Sequence, residues 1–121
     1  MSGEDTLARF TRWLTAFGDA WEAGDAAAMA AGFVVAATLQ ADPFGPPIRG
    51  RRAIHAHFAE LLAHTPGVAF SAEVLGAGHT YGVAHWHVAG GGRELDGIMV
   101  CAIDARGRCE SLREWWHART I

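Results

Sequence analysis

The sequence predicts an α+β fold in one domain, on three observations. Apolar residues at helical spacing are concentrated in the first half, interrupted by one strand-like run. The second half is a series of short apolar and alternating runs separated by turn residues. At 121 residues the chain is long enough for one core and no more. Helices gathered in one part and a sheet in the other are the mark of the α+β class.

Each element follows from local chemistry. Between residues 5 and 23, Leu7, Phe10, Trp13, Leu14, Phe17 and Trp21 make one apolar stripe at the helical period. Gly24 stops this helix. Asp25 caps a second, DAAAMAAGF, its carboxylate placed to accept from the next backbone N–H groups. That helix ends near Gly32. Residues 34–41, VVAATLQA, are uncharged with β-branched members and predict a strand with a buried inner face. Asp42-Pro43 breaks it, because Pro43 lacks a donor and holds Asp42 extended. PFGPPIRG is then a rigid loop. Residues 51–64 return to helical spacing through Ile54, Phe58, Leu61 and Leu62, and Pro66-Gly67 ends the helix. Strands are predicted at 68–75, 81–89, 94–103 and 109–119, with turns at 90–92 and at DARGR (104–108). These four form an antiparallel meander.

Composition narrows the function classes. Half the residues are hydrophobic, 19% are charged, and the net charge is −3. Arg49, Arg51 and Arg52 are the densest basic cluster, too small for a nucleic-acid footprint. The N-terminus, MSGEDTLARF, is acidic and polar where a secretory signal would be basic and then apolar. No apolar run approaches the roughly 18 residues of a membrane helix. A cytoplasmic protein with neither nucleic acid nor membrane as partner is expected. Cys101 and Cys109 fit neither a CxxC motif nor a disulfide framework, so reduced thiols are expected, although a shared hairpin would bring them close.

The stretch ADPFGPPIRGRRAIHAHF resembles the loop and third helix of bacterial ketosteroid isomerases. There an acidic residue, Pro, an apolar residue, Gly, a Pro-containing turn and Gly-Arg lead into the helix. The AGD between the first two helices, the DARGR turn and a final strand ending in an aromatic pair extend the likeness over nearly the whole chain. The chain thus resembles ketosteroid isomerase-like and SnoaL-like members of the nuclear transport factor 2-like superfamily. The resemblance implies a cone: a curved antiparallel sheet around a long N-terminal helix, two further helices, and an apolar pocket open at one end. It also implies a homodimer through the outer sheet face. By the same resemblance Asp42 is the catalytic base and Trp116 lines the pocket. The residues alone favour Asp42 as a cap of its loop and leave Trp116 equally free to be plain core; the surrounding motif turns Asp42 toward the site reading.

The family's oxygen-binding donors are missing. Its helix tyrosine falls on Phe17 and its protonated aspartic acid on Met99, and neither side chain can donate a hydrogen bond. Leu95, Gly97 and Met99 form an apolar row, which turns Asp96 to the opposite face. Leu112, Glu114 and Trp116 share a face, so Glu114 is a candidate acid opposite Asp42; alternatively it pairs with Arg113 or Arg119 at the sheet edge. Gln40 is a second polar candidate inside the cavity. Phe17, Phe58, Trp86, Met99 and Trp116 are the expected walls. His85 and His87 are expected to point outward, away from Ala84, Trp86 and Val88, so no metal site is predicted. His55, His57 and His64 are read as solvated or helix-end residues, and Trp115 as an outer-face contact.

The function expected is cofactor-free acid–base catalysis on a hydrophobic small molecule of steroid, polyketide or terpenoid type, with Asp42 as base. A SnoaL-like cyclase or epoxide hydrolase is the alternative enzyme class. A non-catalytic binding or dimerisation module is the third.

Overall fold

Heading the chain is the 20-residue helix α1, Gly3–Glu22, whose apolar stripe lies against a six-stranded sheet. The computed structural model describes residues 3–121, with side chains from Thr6 onward. Met1 and Ser2 of the acidic N-terminal stretch lie outside the described residues. After α1 come α2 (Ala26–Ala31), β1 (Phe33–Gln40), β2 (Ile48–Arg49), α3 (Arg51–His64), β3 (Ala69–Ala77), β4 (Tyr81–Gly90), β5 (Arg93–Ile103) and β6 (Cys109–Thr120). Asp25 caps α2 as expected, accepting from the Ala28 N–H at 3.0 Å.

The sheet runs β2-β1-β6-β5-β4-β3. The meander β3 to β6 is antiparallel, as predicted, but the sheet as a whole is mixed: β1 joins β6 in parallel. The two-residue β2, which the sequence reading leaves in the loop, pairs antiparallel with β1 and is too short to carry a pattern. Register shifts interrupt β1–β6, β3–β4 and β5–β6; such irregularities bend strands, and the sheet is curved and unclosed.

The helical side of the sheet holds the core. Phe10, Trp13, Leu14, Phe17 and Trp21 are buried, while Leu7, at the start of the same stripe, is 43% exposed. Trp13 stacks on Phe17 at 4.9 Å, Phe17 meets Phe58 edge-on at 5.5 Å, and Trp21 lies 5.7 Å from Trp86. Close seating of α1 depends on two absent side chains. A Cβ on Gly82 would stand 2.1 Å from the Phe10 ring, and one on Gly18 would stand 2.4 Å from Phe70. Arg9, itself buried, ties the start of α1 to the β5–β6 turn by donating to the Asp104 carbonyl at 3.1 Å. No helix among the described residues is long and apolar enough to cross a membrane.

Candidate functional site

The expected pocket walls are core. Phe17, Phe58, Trp86 and Met99 are at most 3% exposed, and their rings fill the interior that a hollow cone would leave open. A cavity of about 300 Å³ remains at the end of the helical side, between the second half of α3 and the ends of β5 and β6. His57, Leu61, Thr65, Arg93, Leu95 and Trp116 line it. Of the expected walls only Trp116 reaches this space, and at 40% exposed it forms part of the rim.

Asp42 is placed differently from the expectation. It lies in the exposed loop after β1, and its Oδ1 accepts from the Phe44 N–H at 2.9 Å. Its carbonyl accepts from the Gly45 N–H at 3.2 Å. This is the turn that an Asp before Pro makes by itself, a short carboxylate satisfying the backbone two residues on. Gln40 is likewise no cavity residue. In the parallel register it neighbours Arg113, on the face opposite the buried Leu39–Leu112 pair, and its amide donates to the carbonyls of Asp42 and Gly45 at 2.6 Å each. Asp42 and Gln40 together hold the loop.

Glu114 does face inward. Alternation along β6 buries Leu112 and Glu114, and Glu114 is only 9% exposed. It stands directly opposite Met99 across the β5–β6 pair, and Trp116 follows two residues on along the same face. Neither arginine weighed as its partner takes it. Arg119 pairs with Glu94, and the Arg113 guanidinium lies over the Trp115 ring at 5.8 Å. Among the described residues the carboxyl has no hydrogen bond or ion pair, and burial alone pushes its pKa up to about 7. A carboxyl in that state is part acid and part carboxylate near neutrality, so it can give a proton and take one back.

His57 is the residue that sequence reasoning missed. It sits half-buried in the cavity wall, and burial lowers its pKa, opposed by the charge of Glu60. A signal existed: Ile54, His57, Phe58 and Leu61 follow the i, i+3, i+4, i+7 pattern, so His57 occupies a core-facing position of α3. His55 and His64 are exposed, as expected. Thr65, also in the wall, is buried and accepts from Trp21 Nε1 at 3.2 Å.

The outer face carries the other titratable cluster. His85 and His87 point outward as predicted, and Asp96 lies between them, Oδ2 at 2.9 Å from His85 and 3.2 Å from His87. Glu73 is 3.5 Å from His85, and Glu94 is 3.2 Å from His87. The hydrogen bond to Asp96 raises the His85 pKa, and the two histidines hold Asp96 below the usual carboxylate range. No grouping of three or more ligating residues suited to a metal occurs among the described residues. Cys101 and Cys109 are buried free thiols; burial, with Cys109 beside it, pushes the Cys101 thiol up.

Comparison with known proteins agrees with the architecture. The SnoaL-like domain family matches residues 14–118. An epoxide hydrolase/cyclase-like enzyme, SalBIII, of pyran ring formation in the polyether salinomycin, superposes with a TM-score of 0.81 at 15% identity, over 97% of this chain and 99% of that one. An NTF-2 like protein of unknown function from Burkholderia xenovorans LB400 gives 0.71 at 20% identity, over 90% of this chain and 83% of its own. A SnoaL-like protein of unknown function from Burkholderia thailandensis E264 gives 0.74 at 21% identity, over 91% and 95%. No curated protein matches. At such identities the superpositions speak for the fold alone.

Proposed function

The chain belongs to the SnoaL-like family, and we propose that it carries out acid–base chemistry on an apolar small molecule, with Glu114 as the proton-carrying group. The observation that carries this reading is the inward, buried Glu114 carboxyl opposite Met99, with no partner among the described residues; burial pushes its pKa up to about 7. Stability does not favour such a group, since a well-filled apolar side chain would avoid its desolvation. Its position opposite Met99 compensates for a donor that the family resemblance finds missing there. Trp116 and Leu95 give the ligand a flat apolar entry, and His57, held neutral by burial, is a second proton acceptor at the mouth. The reaction uses only these side chains: Glu114 protonates an oxygen or carbon of the substrate and recovers the proton from a neighbouring position.

The pyran-forming enzyme, similar in fold, makes ring closure or epoxide opening a reaction of interest here, with Glu114 as the acid on the departing oxygen. Asp42, tied into its loop, fits the isomerase role less well. The outer face, with Trp115 46% exposed, supports a homodimer.

Turnover tests this directly. A β,γ-unsaturated steroid ketone and an epoxy-alcohol of polyketide type are offered to the wild type, Glu114→Gln and Asp42→Asn. On whichever substrate is converted, Glu114→Gln should lose about 100-fold in kcat, the scale of general acid–base catalysis. Asp42→Asn should stay within about threefold, since Asn keeps the loop acceptor. Full activity in Glu114→Gln, or its loss in Asp42→Asn alone, returns the base to the loop.

A further inference from the structure

The cavity at the end of α3 is apolar along its floor and holds an uncommitted cation in its wall. Arg93 is the one arginine among the described residues that line it. Its guanidinium has no ion pair and no side-chain hydrogen bond among the described residues. The arginines on the facing strand β6 are engaged elsewhere, Arg119 with Glu94 and Arg113 over the Trp115 ring.

The strands set the order of this wall. Arg93, Leu95 and Gly97 alternate onto the inner face of β5, and Trp116 stands opposite Gly97 on β6. Leu95 and Trp116, with Leu61 on α3, therefore make the floor, and the exposed Arg93 stands at the lip. A glycine fixes that lip against the end of α3. Gly90 has φ +155°, and a Cβ on it would stand 2.8 Å from the Gly67 carbonyl oxygen, so the β4–β5 turn packs on the loop that ends the helix. Arg93 leaves this turn already paired, opposite Gly90 on β4 and Thr120 on β6. The acidic side chain of the cavity, Glu60, belongs to the α3 wall, where its charge acts on His57.

We propose that this cavity takes an apolar monocarboxylate, its flat skeleton against Leu95, Leu61 and Trp116 and its carboxylate on the Arg93 guanidinium. The planar fork of an arginine donates two parallel N–H groups to the two oxygens of a carboxylate, which a lone ammonium cannot do. Glu60 on the α3 wall disfavours the reversed ligand and any second negative group, by repulsion of like charge. Arg93 is thereby a binding residue that selects and orients, with no part in the proton transfer. This names the substrate class of the site proposed above, and it rests on that reading of the cavity as the place where the ligand enters.

The probes are 2-naphthoate and 2-naphthamide, which share a skeleton and differ by the charge. The full-length protein should bind 2-naphthoate tighter by about tenfold, the scale of hydrogen bonds to a charged group. In the ¹H–¹⁵N spectrum, the tryptophan indole signal absent from Trp116→Phe should move with either probe, which places the skeleton in this cavity. Arg93→Gln should erase the preference and leave 2-naphthamide affinity within about twofold. Arg106→Gln removes the same charge from the exposed turn at the other end of β5 and should leave the preference intact. Equal affinity for the two probes, a preference that survives Arg93→Gln or is lost in Arg106→Gln, no binding of either probe, or an unmoved Trp116 signal overturns the proposal. Should Arg93→Gln not fold, salt takes its place: recognition of charge at an open lip fades as ionic strength rises, and a preference indifferent to salt overturns the proposal. The catalytic reading fails separately. A preference that needs Arg93, in a protein that turns nothing over, keeps this site and removes the role of Glu114. Loss of turnover in Glu114→Gln, with the two probes bound equally by the wild type, does the reverse.

Discussion

Glu114 and Asp96 are carboxylates on neighbouring strands of one sheet, and the sheet's two faces treat them in opposite ways. Glu114 is buried on the inner face with no partner among the described residues, and burial pushes its pKa up to about 7. Asp96 looks outward between two histidines, and its pKa falls. The chemical group is nearly the same, so environment alone separates them. A dry face disfavours charge, whereas a wet face with donors in place favours it. Groups kept for their proton affinity belong on the first kind of face, and groups kept for a surface ion-pair network belong on the second.

The largest expected effect follows from the dry side. Glu114 holds its proton more tightly folded, at about 7, than at its ordinary 4.5. The contribution of this group to stability should therefore be greatest below pH 4.5, fall as pH rises to about 7, and level off, a loss of about 3 kcal/mol. Urea unfolding at a series of pH values checks it, and Glu114→Gln should remove that slope. A slope that persists in the variant means that Glu114 is hydrated and the contrast between the faces is wrong. Next in size is Gly82→Ala. Its methyl would stand 2.1 Å from Phe10, and overpacking of this kind costs about 1–3 kcal/mol, read from the shift in urea midpoint. No loss there would mean that the inner face is less tightly closed than the contrast requires.

Asp42→Ala removes one exposed loop bond and should cost about 0.5–1 kcal/mol in the same assay. A third carboxylate, neither buried nor between histidines, would thus be nearly silent. Asp96→Asn should have the least effect on stability, because its ion pairs are exposed and screened. It should nevertheless lower the His85 pKa toward its ordinary value, visible by NMR titration. The stabilisation that His85 gives is present at low pH and lost as pH rises through its folded pKa. A larger loss in Asp96→Asn than in Asp42→Ala would show the outer cluster to be more than surface.

Faces were legible in the sequence, and partners were not. Alternation in YGVAHWHVA and ELDGIMVCAI sorts Trp86 from His85 and Met99 from Asp96, because the side-chain period of a strand is two and one buried residue fixes the rest. The helical stripe turned Phe17 and Trp21 inward for the same kind of reason, although Phe17 was expected to wall a pocket and is packed in the core. The parallel joining of β1 to β6 left no local trace, since pairing between distant strands is settled by tertiary packing. Asp42 was ambiguous for a physical reason: an Asp-Pro junction suits a loop cap as well as a site carboxylate, and the bond its Oδ1 accepts from the Phe44 N–H is a tertiary detail that no residue pattern carries. That the buried Trp86 Nε1 has no partner among the described residues could not be read at all. It depends on where an indole edge comes to rest, and that depends on a glycine of another strand.

The sheet order has a consequence for biosynthesis. β6 is the latest strand in the chain, yet it sits between β1 and β5. Until residues 109–120 leave the ribosome, no strand pairing joins the β1–β2 pair to the β3–β5 meander, and β1 and β5 each present a bare edge. Insertion of this one segment closes both edges, and in the same event delivers Glu114 and Trp116 to the helical side and Trp115 to the other. A nascent chain stalled before it has no nearly finished site to protect, only two sticky borders. Those borders are where a holdase would be expected to bind.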